Sequence, residues 1–253
     1  MPRSVDLNAD VGESAGGLSV ADRDLIPFLS SASIACGVHA GDPLTMQATL
    51  AYAAAAGVAV GAHPGLADRE GFGRRVLDVS PAEAEALVAL QVEALAGLAA
   101  REGVTLRHVK VHGALYAMAS RDPALGAAVA RGVAAVDSGL RLFAPAASAM
   151  ARAAEDAGLR VVREAFADRG YEADGSLTPR GQPGAVLDDP AVVARRAVAM
   201  VRDGVVEAAG GGEVALGVDT LCLHGDTPGA ASLARAVREA LAVAGIDLAA
   251  PAR

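Results

Sequence analysis

The residues of this chain best suited to chemistry are acids, histidines and cations that follow short apolar segments. They are Asn8, Asp10, Glu13, His39, Asp42, His63, Lys110, His112, Glu164, Asp168, Arg169, His224 and Asp226. Imidazoles and carboxylates can move protons near neutral pH, and the same groups can bind a divalent metal. Lysine and arginine can hold a carboxylate or a phosphate. These residue types therefore predict acid–base or metal-assisted chemistry, with cations available for an anionic group.

The histidines are concentrated at the ends of these apolar segments. Four of the five, all except His108, lie there, and each of the four has a glycine within two residues. Glycine lets a backbone approach a ligand closely or adopt a positive φ. A single histidine at such a position is usually a hydrogen-bonded structural residue. Four of them, together with Asp10, Asp168 and Asp226, favour one shared pocket.

The sequence shows no compact metal-binding or phosphate-binding motif that would identify the reaction. The histidine spacings match no signature such as H-E-x-x-H, so a bound metal is neither supported nor excluded. The glycines at 210–212 are not followed by Lys-Ser/Thr, so we interpret them as a turn rather than a phosphate-binding loop. Cys36 and Cys222 lie in apolar segments and are expected to be small buried side chains.

The apolar segments alternate with helices along the chain. Predicted strands cover residues 5–8, 33–37, 58–63, 107–112, 141–144, 160–166 and 220–224. Predicted helices cover residues 43–56, 81–102, 123–136, 190–205 and 227–245, and the first four start with proline after Asp or Ser, as capped helices do. The alternation predicts an α/β fold with a parallel sheet, and seven units predict a closed or nearly closed β/α barrel. A doubly wound open sheet is the alternative.

The composition excludes several classes of protein. The 253 residues are 53% hydrophobic and 21% charged, which excludes a disordered chain. A net charge of −8 without a basic run argues against nucleic acid or an anionic membrane as a partner. No signal peptide is recognisable, and no stretch approaches the roughly 20 apolar residues of a membrane span. We therefore expect a cytoplasmic protein with a single domain over residues 1–253.

Two connections, residues 64–79 and 167–189, are longer than simple turns. Loops of this length in compact domains are usually lids or binding loops, with a surface insertion as the alternative. The first loop carries Arg74 and Arg75, and the second begins with Ala167, Asp168 and Arg169.

Six segments, in order along the chain, resemble the LamB/YcsF family. They are DLNADVGES (6–14), SIACGVHAGDP (33–43), GAHPG…GFGRR (61–75), VKVHGALY (109–116), EAFADRGYEADGSLTPR (164–180) and HGDTPGA (224–230). The resemblance covers nearly the whole chain, although Val38 stands where the family has an aromatic residue and Val111 where it has proline. Members of this family are A subunits of prokaryotic 5-oxoprolinase.

The resemblance implies ATP-dependent hydrolysis of the lactam 5-oxo-L-proline to L-glutamate, with release of ADP and phosphate. It implies ATP with Mg²⁺ as co-substrate, partner subunits B and C, and a distorted seven-stranded parallel β/α barrel, TIM-like and similar to polysaccharide deacetylases. Two alternatives remain open: a metal-dependent amidase or deacetylase acting alone, and a non-catalytic subunit that binds substrate for its partners.

For such a reaction the catalytic candidates are Asp10, His63, Lys110, His112 and His224. Asp10 or His63 is the expected base that activates water, and His112 or His224 is the expected acid for the departing ring nitrogen. Lys110 is expected to stabilise phosphoryl charge.

The substrate-binding candidates are Asn8, His39, Arg74, Arg75, Asp168, Arg169 and Asp226. Arg74 and Arg169 are further cations for a phosphoryl group, and Arg75 or Arg169 offers a forked donor for the substrate carboxylate.

Overall fold

The computed structural model of the chain describes residues 3–252 and shows a barrel of parallel strands surrounded by helices. The strands are β1 (Arg3–Val11), β2 (Ser31–Ala35), β3 (Ala59–His63), β4 (His108–Val109), β5 (Arg141–Pro145), β6 (Arg160–Phe166), β7 (Val205–Glu207), β8 (Glu213–Ala215), β9 (Thr220–Leu223) and β10 (Ile246–Leu248). The helices are α1 (Val20–Leu25), α2 (Pro43–Ala55), α3 (Pro81–Arg101), α4 (Gly113–Arg121), α5 (Pro123–Val136), α6 (Ala149–Asp156), α7 (Pro190–Arg202) and α8 (Ala230–Val243), with a 3-10 turn at Ile26–Phe28. Within this described range, none of the helices has the length and apolar character needed to cross a membrane.

Strand β1 pairs in parallel with both β2 and β9, and the second pairing closes the sheet into a ring. Around the ring the order is β1, β2, β3, β4, β5, β6 and β9. The predicted seven-stranded parallel β/α barrel is therefore confirmed, and the alternative of an open doubly wound sheet is wrong. Strand β10 lies outside the ring on β1, while β7 and β8 form an antiparallel hairpin whose turn contains glycines 210–212.

Local capping fixes where the main helices begin. Asp42, Ser80, Asp122 and Asp189 each accept a backbone N–H of the first turn, and a proline follows each of them. The side-chain oxygen satisfies a donor that has no partner inside the helix, and proline fixes a helical φ where no N–H is needed. Helix α5 has the predicted bounds, whereas α2, α3 and α7 begin where predicted but end slightly earlier.

The structure contains elements that the sequence pattern did not predict. Helices α1, α4 and α6 are short, and α8 is followed by β10 instead of closing the chain. The predicted strand 107–112 shortens to β4, although the N–H groups of Lys110 and His112 still donate to the carbonyls of Ala62 and Pro64. The chain therefore remains extended beyond β4 and carries both side chains to the carboxyl end of the barrel.

The two faces of the barrel strands differ in chemistry. On β1, Leu7 and Ala9 are fully buried in the apolar core. Because side chains alternate along a strand, Asp6, Asn8 and Asp10 share the opposite face, which points into the barrel. Barrel interiors are usually filled with branched apolar side chains, so this polar column is unusual and leads toward the site.

At the amino end of this column, Asp6 accepts three hydroxyl hydrogen bonds. The donors are Ser30 Oγ at 2.6 Å, Ser31 Oγ at 2.7 Å and Thr220 Oγ1 at 2.6 Å. Burial raises the pKa of Asp6 to about 6 even though the hydroxyls favour its ionised form. Asp6 therefore belongs to a closed hydrogen-bond network that ties β1 to β2 and β9.

Candidate active site

A buried ion pair crosses the barrel interior. Lys110 Nζ lies 2.7 Å from Asp10 Oδ1 on β1, 3.2 Å from Glu164 Oε1 on β6 and 2.8 Å from Cys222 Sγ on β9. Asn8 adds its Oδ1 at 3.3 Å from the same Nζ. Since β4 is next to none of these strands, the contacts pass through the centre of the barrel.

The ion pair keeps its charges despite its burial. Burial lowers the pKa of Lys110, but Asp10 and Glu164 raise it well above its usual value. Burial raises the pKa of Asp10, but His63 and Lys110 hold it well below its usual range. Attraction between close charges in a poorly hydrated interior outweighs desolvation here. The site therefore contains a carboxylate and an ammonium at neutral pH.

Backbone carbonyls determine which nitrogens of His63 and His112 carry hydrogen. His63 Nδ1 lies 2.6 Å from the carbonyl oxygen of Lys110, and His112 Nε2 lies 2.8 Å from that of Phe72. A carbonyl only accepts, so the partner assigns an N–H to each of these nitrogens. The remaining nitrogens, His63 Nε2 and His112 Nδ1, face each other at 2.9 Å. Burial lowers the pKa of His112 to about 2, so this ring is neutral and its Nδ1 is bare.

Glu13 and His39 complete a compact group with these two rings. Glu13 Oε1 lies 3.4 Å from His39 Nε2, 3.4 Å from His112 Nδ1 and 3.9 Å from His63 Nε2. One ligand atom from each residue lies within 4.8 Å of all the others. We refer to these four side chains, Glu13, His39, His63 and His112, as the imidazole cluster. Such a set of nitrogen and oxygen donors could hold a metal ion.

The cluster is poorly hydrated and lies among charged side chains of both signs. Burial, followed by the charge of Asp10, raises the pKa of Glu13 well above its usual value, and burial lowers the pKa of His39 to about 3. His63 Nε2 lies 3.3 Å from Asp10 Oδ2, so the imidazole cluster adjoins the ion pair directly.

The loop between β3 and α3 closes over the imidazole cluster because its glycines permit a close approach. A Cβ at Gly65 would lie 2.6 Å from His39 Nδ1, and one at Gly73, whose φ is +63°, would lie 2.9 Å from the His112 ring. The Phe72 ring packs edge-on against both imidazoles. The long loop 64–79 is therefore a wall of the site rather than a remote insertion.

His224 lies just beyond β9 and is oriented by Asp168. Its Nδ1 lies 3.0 Å from Asp168 Oδ2, which also accepts the His224 backbone N–H at 2.9 Å. Burial raises the pKa of Asp168, but His224 brings it below its usual value. The His224 ring stacks on Phe166, whose centroid is 5.4 Å from Lys110 Nζ. The carboxylate favours an N–H at Nδ1, and Nε2 is the nitrogen left to exchange a proton.

Arg74 and Asp226 form an ion pair at the mouth of the site. Arg74 Nη2 lies 2.6 Å from Asp226 Oδ2, and its guanidinium lies 4.8 Å from the centroid of the Phe72 ring. Both side chains are about one third exposed. They can therefore meet a ligand that approaches from solvent.

Two predicted arginines are not brought to the site. Arg75 pairs with Asp68 within its own loop and leaves more than half of its side chain exposed. Arg169 donates to the carbonyls of Ala185 and Thr178, which fastens the loop 167–189. The loop carbonyls and the loop carboxylate thus already engage both guanidinium groups.

The other predicted residues assemble at or beneath the carboxyl end of the barrel. They are Asn8, Asp10, His39, His63, Arg74, Lys110, His112, Asp168, His224 and Asp226. Glu13 and Glu164 join them, although the sequence assigned neither a catalytic nor a binding role. The sequence offered a clue to Glu164, because it is an acid near the carboxyl end of the predicted strand that became β6. Phe72, which packs against His39 and His112, carried no such clue.

Comparison with known proteins adds a full-length match. The LamB/YcsF family model matches residues 5–253. A relative from Chloroflexus aggregans, named as the A subunit of 5-oxoprolinase, is 53% identical over 249 residues, which cover 98% of this chain and 99% of that protein.

Solved structures agree with the barrel. The crystal structure of a lactam utilization protein from Thermus thermophilus is 49% identical and superposes with a TM-score of 0.92, covering 98% of this chain and 100% of that one. A T48 deacetylase with substrate is 14% identical with a TM-score of 0.51, covering 98% and 87% of the two chains. The second likeness extends to the fold alone.

Proposed function

Because the chain belongs to the LamB/YcsF family, we propose that it is the A subunit of an ATP-dependent 5-oxoprolinase that works with partner subunits B and C. The observation that carries this proposal is the 53% identity to the A subunit of a 5-oxoprolinase along nearly both whole chains. The substrate is then 5-oxo-L-proline, and the co-substrate is ATP with Mg²⁺.

The reaction has to open a resonance-stabilised amide. Transfer of the terminal phosphoryl group of ATP to the lactam oxygen releases ADP and makes the ring carbon electrophilic. Water adds to that carbon and loses a proton, and the ring C–N bond breaks as the nitrogen gains one. A second water hydrolyses the resulting acyl phosphate to L-glutamate and phosphate. Proton transfers and stabilisation of negative charge are therefore what the site must supply.

The proposed roles follow from the protonation of each group. Asp10 is ionised and serves as the base for water, with His63 as the neighbouring alternative. His224 serves as the acid, because Asp168 engages its Nδ1 and leaves Nε2 free to pass a proton to the ring nitrogen, whereas the neutral His112 has no proton to give at Nδ1. Lys110 and Arg74 provide positive charge for the phosphoryl group and the substrate carboxylate.

The test is reconstitution. This chain is combined with purified subunits B and C, ATP, Mg²⁺ and 5-oxo-L-proline, and glutamate and phosphate are measured with each component omitted in turn. We expect equal amounts of both products, and only in the complete mixture. Glutamate formed without this chain would refute the proposal, and ATP-independent hydrolysis by this chain alone would favour a separate amidase.

A variant distinguishes a catalytic subunit from one that only binds substrate. Asp10→Asn is compared with Asp24→Asn, a matched change at an exposed aspartate of α1. If Asp10 acts as the base, only the first variant loses turnover while still forming the complex. Turnover by both variants at the wild-type rate would favour a non-catalytic, substrate-binding subunit.

A further inference from the structure

The imidazole cluster contains more nitrogen bases than the proposed reaction uses. Hydrolysis as assigned above needs Asp10, His224 and the cations, and it leaves Glu13, His39 and His112 without a role. Glu13 lies 3.4 Å from both His39 and His112, and these two rings stack on each other at the open end of the barrel. Their arrangement therefore calls for a separate explanation.

The hydrogen bonds of His63 and His112 direct one nitrogen of each ring into the imidazole cluster. An N–H of each ring is directed to a carbonyl, of Lys110 or of Phe72. The other nitrogens, His63 Nε2 and His112 Nδ1, face each other at 2.9 Å. The bare Nδ1 of His112 needs a donor or a cation on this side, and a metal ion between the rings would meet both nitrogens.

The same pattern is the one found around metal-binding histidines. A ligating imidazole generally donates its other N–H to a carbonyl or a carboxylate, which fixes the tautomer and the ring direction. Here the carbonyls of Lys110 and Phe72 do this for two rings, one at the end of β3 and one just before α4. His39 adds its Nε2 on the side of Glu13, whose carboxylate oxygen lies 3.4 Å away.

We propose that Glu13, His39, His63 and His112 bind one divalent transition-metal ion of the zinc class. Zn–N bonds of ~2.0–2.1 Å in a tetrahedral site separate two nitrogens by about 3.3 Å, so a small outward movement of His63 and His112 accommodates the ion. Three imidazoles and one carboxylate suit zinc, cobalt or nickel and do not suit Mg²⁺, which prefers oxygen ligands. The site is thus distinct from the Mg²⁺ that accompanies ATP.

The ion would supply a Lewis acid beside the ion pair of Asp10 and Lys110. A metal in such a position polarises a carbonyl oxygen or lowers the pKa of bound water. His63 would then be a ligand, which leaves Asp10 as the base. The metal site itself does not depend on the proposed function, since it is argued from the cluster's hydrogen bonds.

The experiment measures metal binding by the full chain directly. Protein stripped with a chelator is titrated with Zn²⁺ by calorimetry, and Co²⁺ substitution is followed by its visible absorption, which reports tetrahedral nitrogen coordination. We expect one ion per chain, no displacement by Mg²⁺ and a higher melting temperature with zinc. Failure to take up either ion would overturn the proposal.

Substitutions of the proposed ligands test where in the chain the ion binds. Glu13→Gln and the double variant His63→Asn with His112→Asn are expected to bind zinc more than about 100-fold more weakly, since changes even to outer-shell partners cost roughly 10–100-fold. Glu70→Gln, at an exposed glutamate of loop 64–79, and His224→Asn are matched controls that should bind as wild type does. Equal binding by Glu13→Gln and Glu70→Gln would place the ion elsewhere and overturn the assignment.

The folding of each variant and the turnover of the reconstituted system are measured separately. Circular dichroism confirms that each variant is folded, and Glu13→Gln serves if the double histidine variant does not fold. Zinc uptake without glutamate formation in the reconstituted system would contradict the proposed function and leave the metal site standing. Full turnover by the metal-free chain would support the proposed function and rule out a Lewis-acid role for the ion.

Discussion

At the two ends of the barrel interior, the pKa of a buried carboxyl group is shifted in opposite directions. Asp6 and Asp10 lie on the same face of β1, and both are buried. Asp6 accepts three hydroxyl hydrogens, and burial raises its pKa to about 6. Asp10 faces His63 and Lys110, and despite burial its pKa falls well below the usual range.

The difference shows that neighbours, rather than depth, decide what a buried acid does. Hydroxyl groups can serve a carboxyl in either protonation state, so the amino end is a satisfied network that holds strands together. The carboxyl end combines the Asp10 carboxylate and the Lys110 ammonium with the three rings of the imidazole cluster. In β/α barrels the amino face generally supports stability and the carboxyl face carries chemistry.

The largest contrast is expected in turnover. Asp10→Asn should lower the turnover of the reconstituted system by about 10²–10⁴-fold, the usual contribution of a general base. Asp6→Asn at the other end should leave the turnover of folded protein near the wild-type value. Steady-state glutamate formation measures both, and similar losses in the two variants would abolish the functional distinction between the ends.

A second contrast concerns stability. Lys110→Met removes the cation from Asp10 and Glu164 and should lower the free energy of unfolding by about 3–5 kcal/mol, because it leaves buried charge uncompensated. Arg163→Met, which breaks the half-exposed pair with Asp219, should cost only about 0–1 kcal/mol. Urea unfolding measures both changes. Equal effects would mean that the barrel interior is well hydrated.

The pH dependence of stability isolates Asp6. Its pKa is about 6 in the folded protein and near 3.8 in an unfolded chain, so the folded state favours the protonated acid. The stabilisation, about 3 kcal/mol, is fully present below pH 3.8 and is lost as pH rises to about 6. The difference in unfolding free energy between wild type and Asp6→Asn should follow this curve. A difference that does not change with pH would show that the hydroxyl network keeps Asp6 ionised.

The smallest effect separates two adjacent arginines. Arg74→Ala, at the mouth, should raise the KM for substrate about fivefold, equivalent to about 1 kcal/mol for a partly exposed charge. Arg75→Ala, at the loop surface, should leave KM unchanged. Initial rates over a range of 5-oxo-L-proline concentrations test both, and the reverse order would mean that loop 64–79 rearranges in the complex with its partners.

The fold was largely predictable because its signals are local. Asp122 followed by proline marks the start of α5, and Gly57 and Gly103 follow α2 and α3 closely. The short helix α4 escaped prediction because His112, which precedes it, provides no side-chain cap. Strand β10 was missed because its three residues form a strand only by pairing with β1, a contact distant in sequence.

The site was predictable only as far as strand ends define it. His63 and Asp10 end up together because parallel strands bring their carboxyl ends to one edge. Glu13 lies beyond β1, and its position depends on Gly12, whose φ of +71° turns the chain. Arg74 and Arg75 are identical in type and adjacent in sequence, so only the three-dimensional course of the loop distinguishes them.

Lys110 contributes to the centre of the barrel twice, through its ammonium to Asp10 and through its main-chain oxygen to His63. Every amino acid carries that oxygen, so a neutral replacement at position 110 removes the positive charge while the imidazole keeps its direction. Electrostatic strength and donor geometry are consequently independent variables in this scaffold. An engineer can change one by a single substitution and leave the other in place.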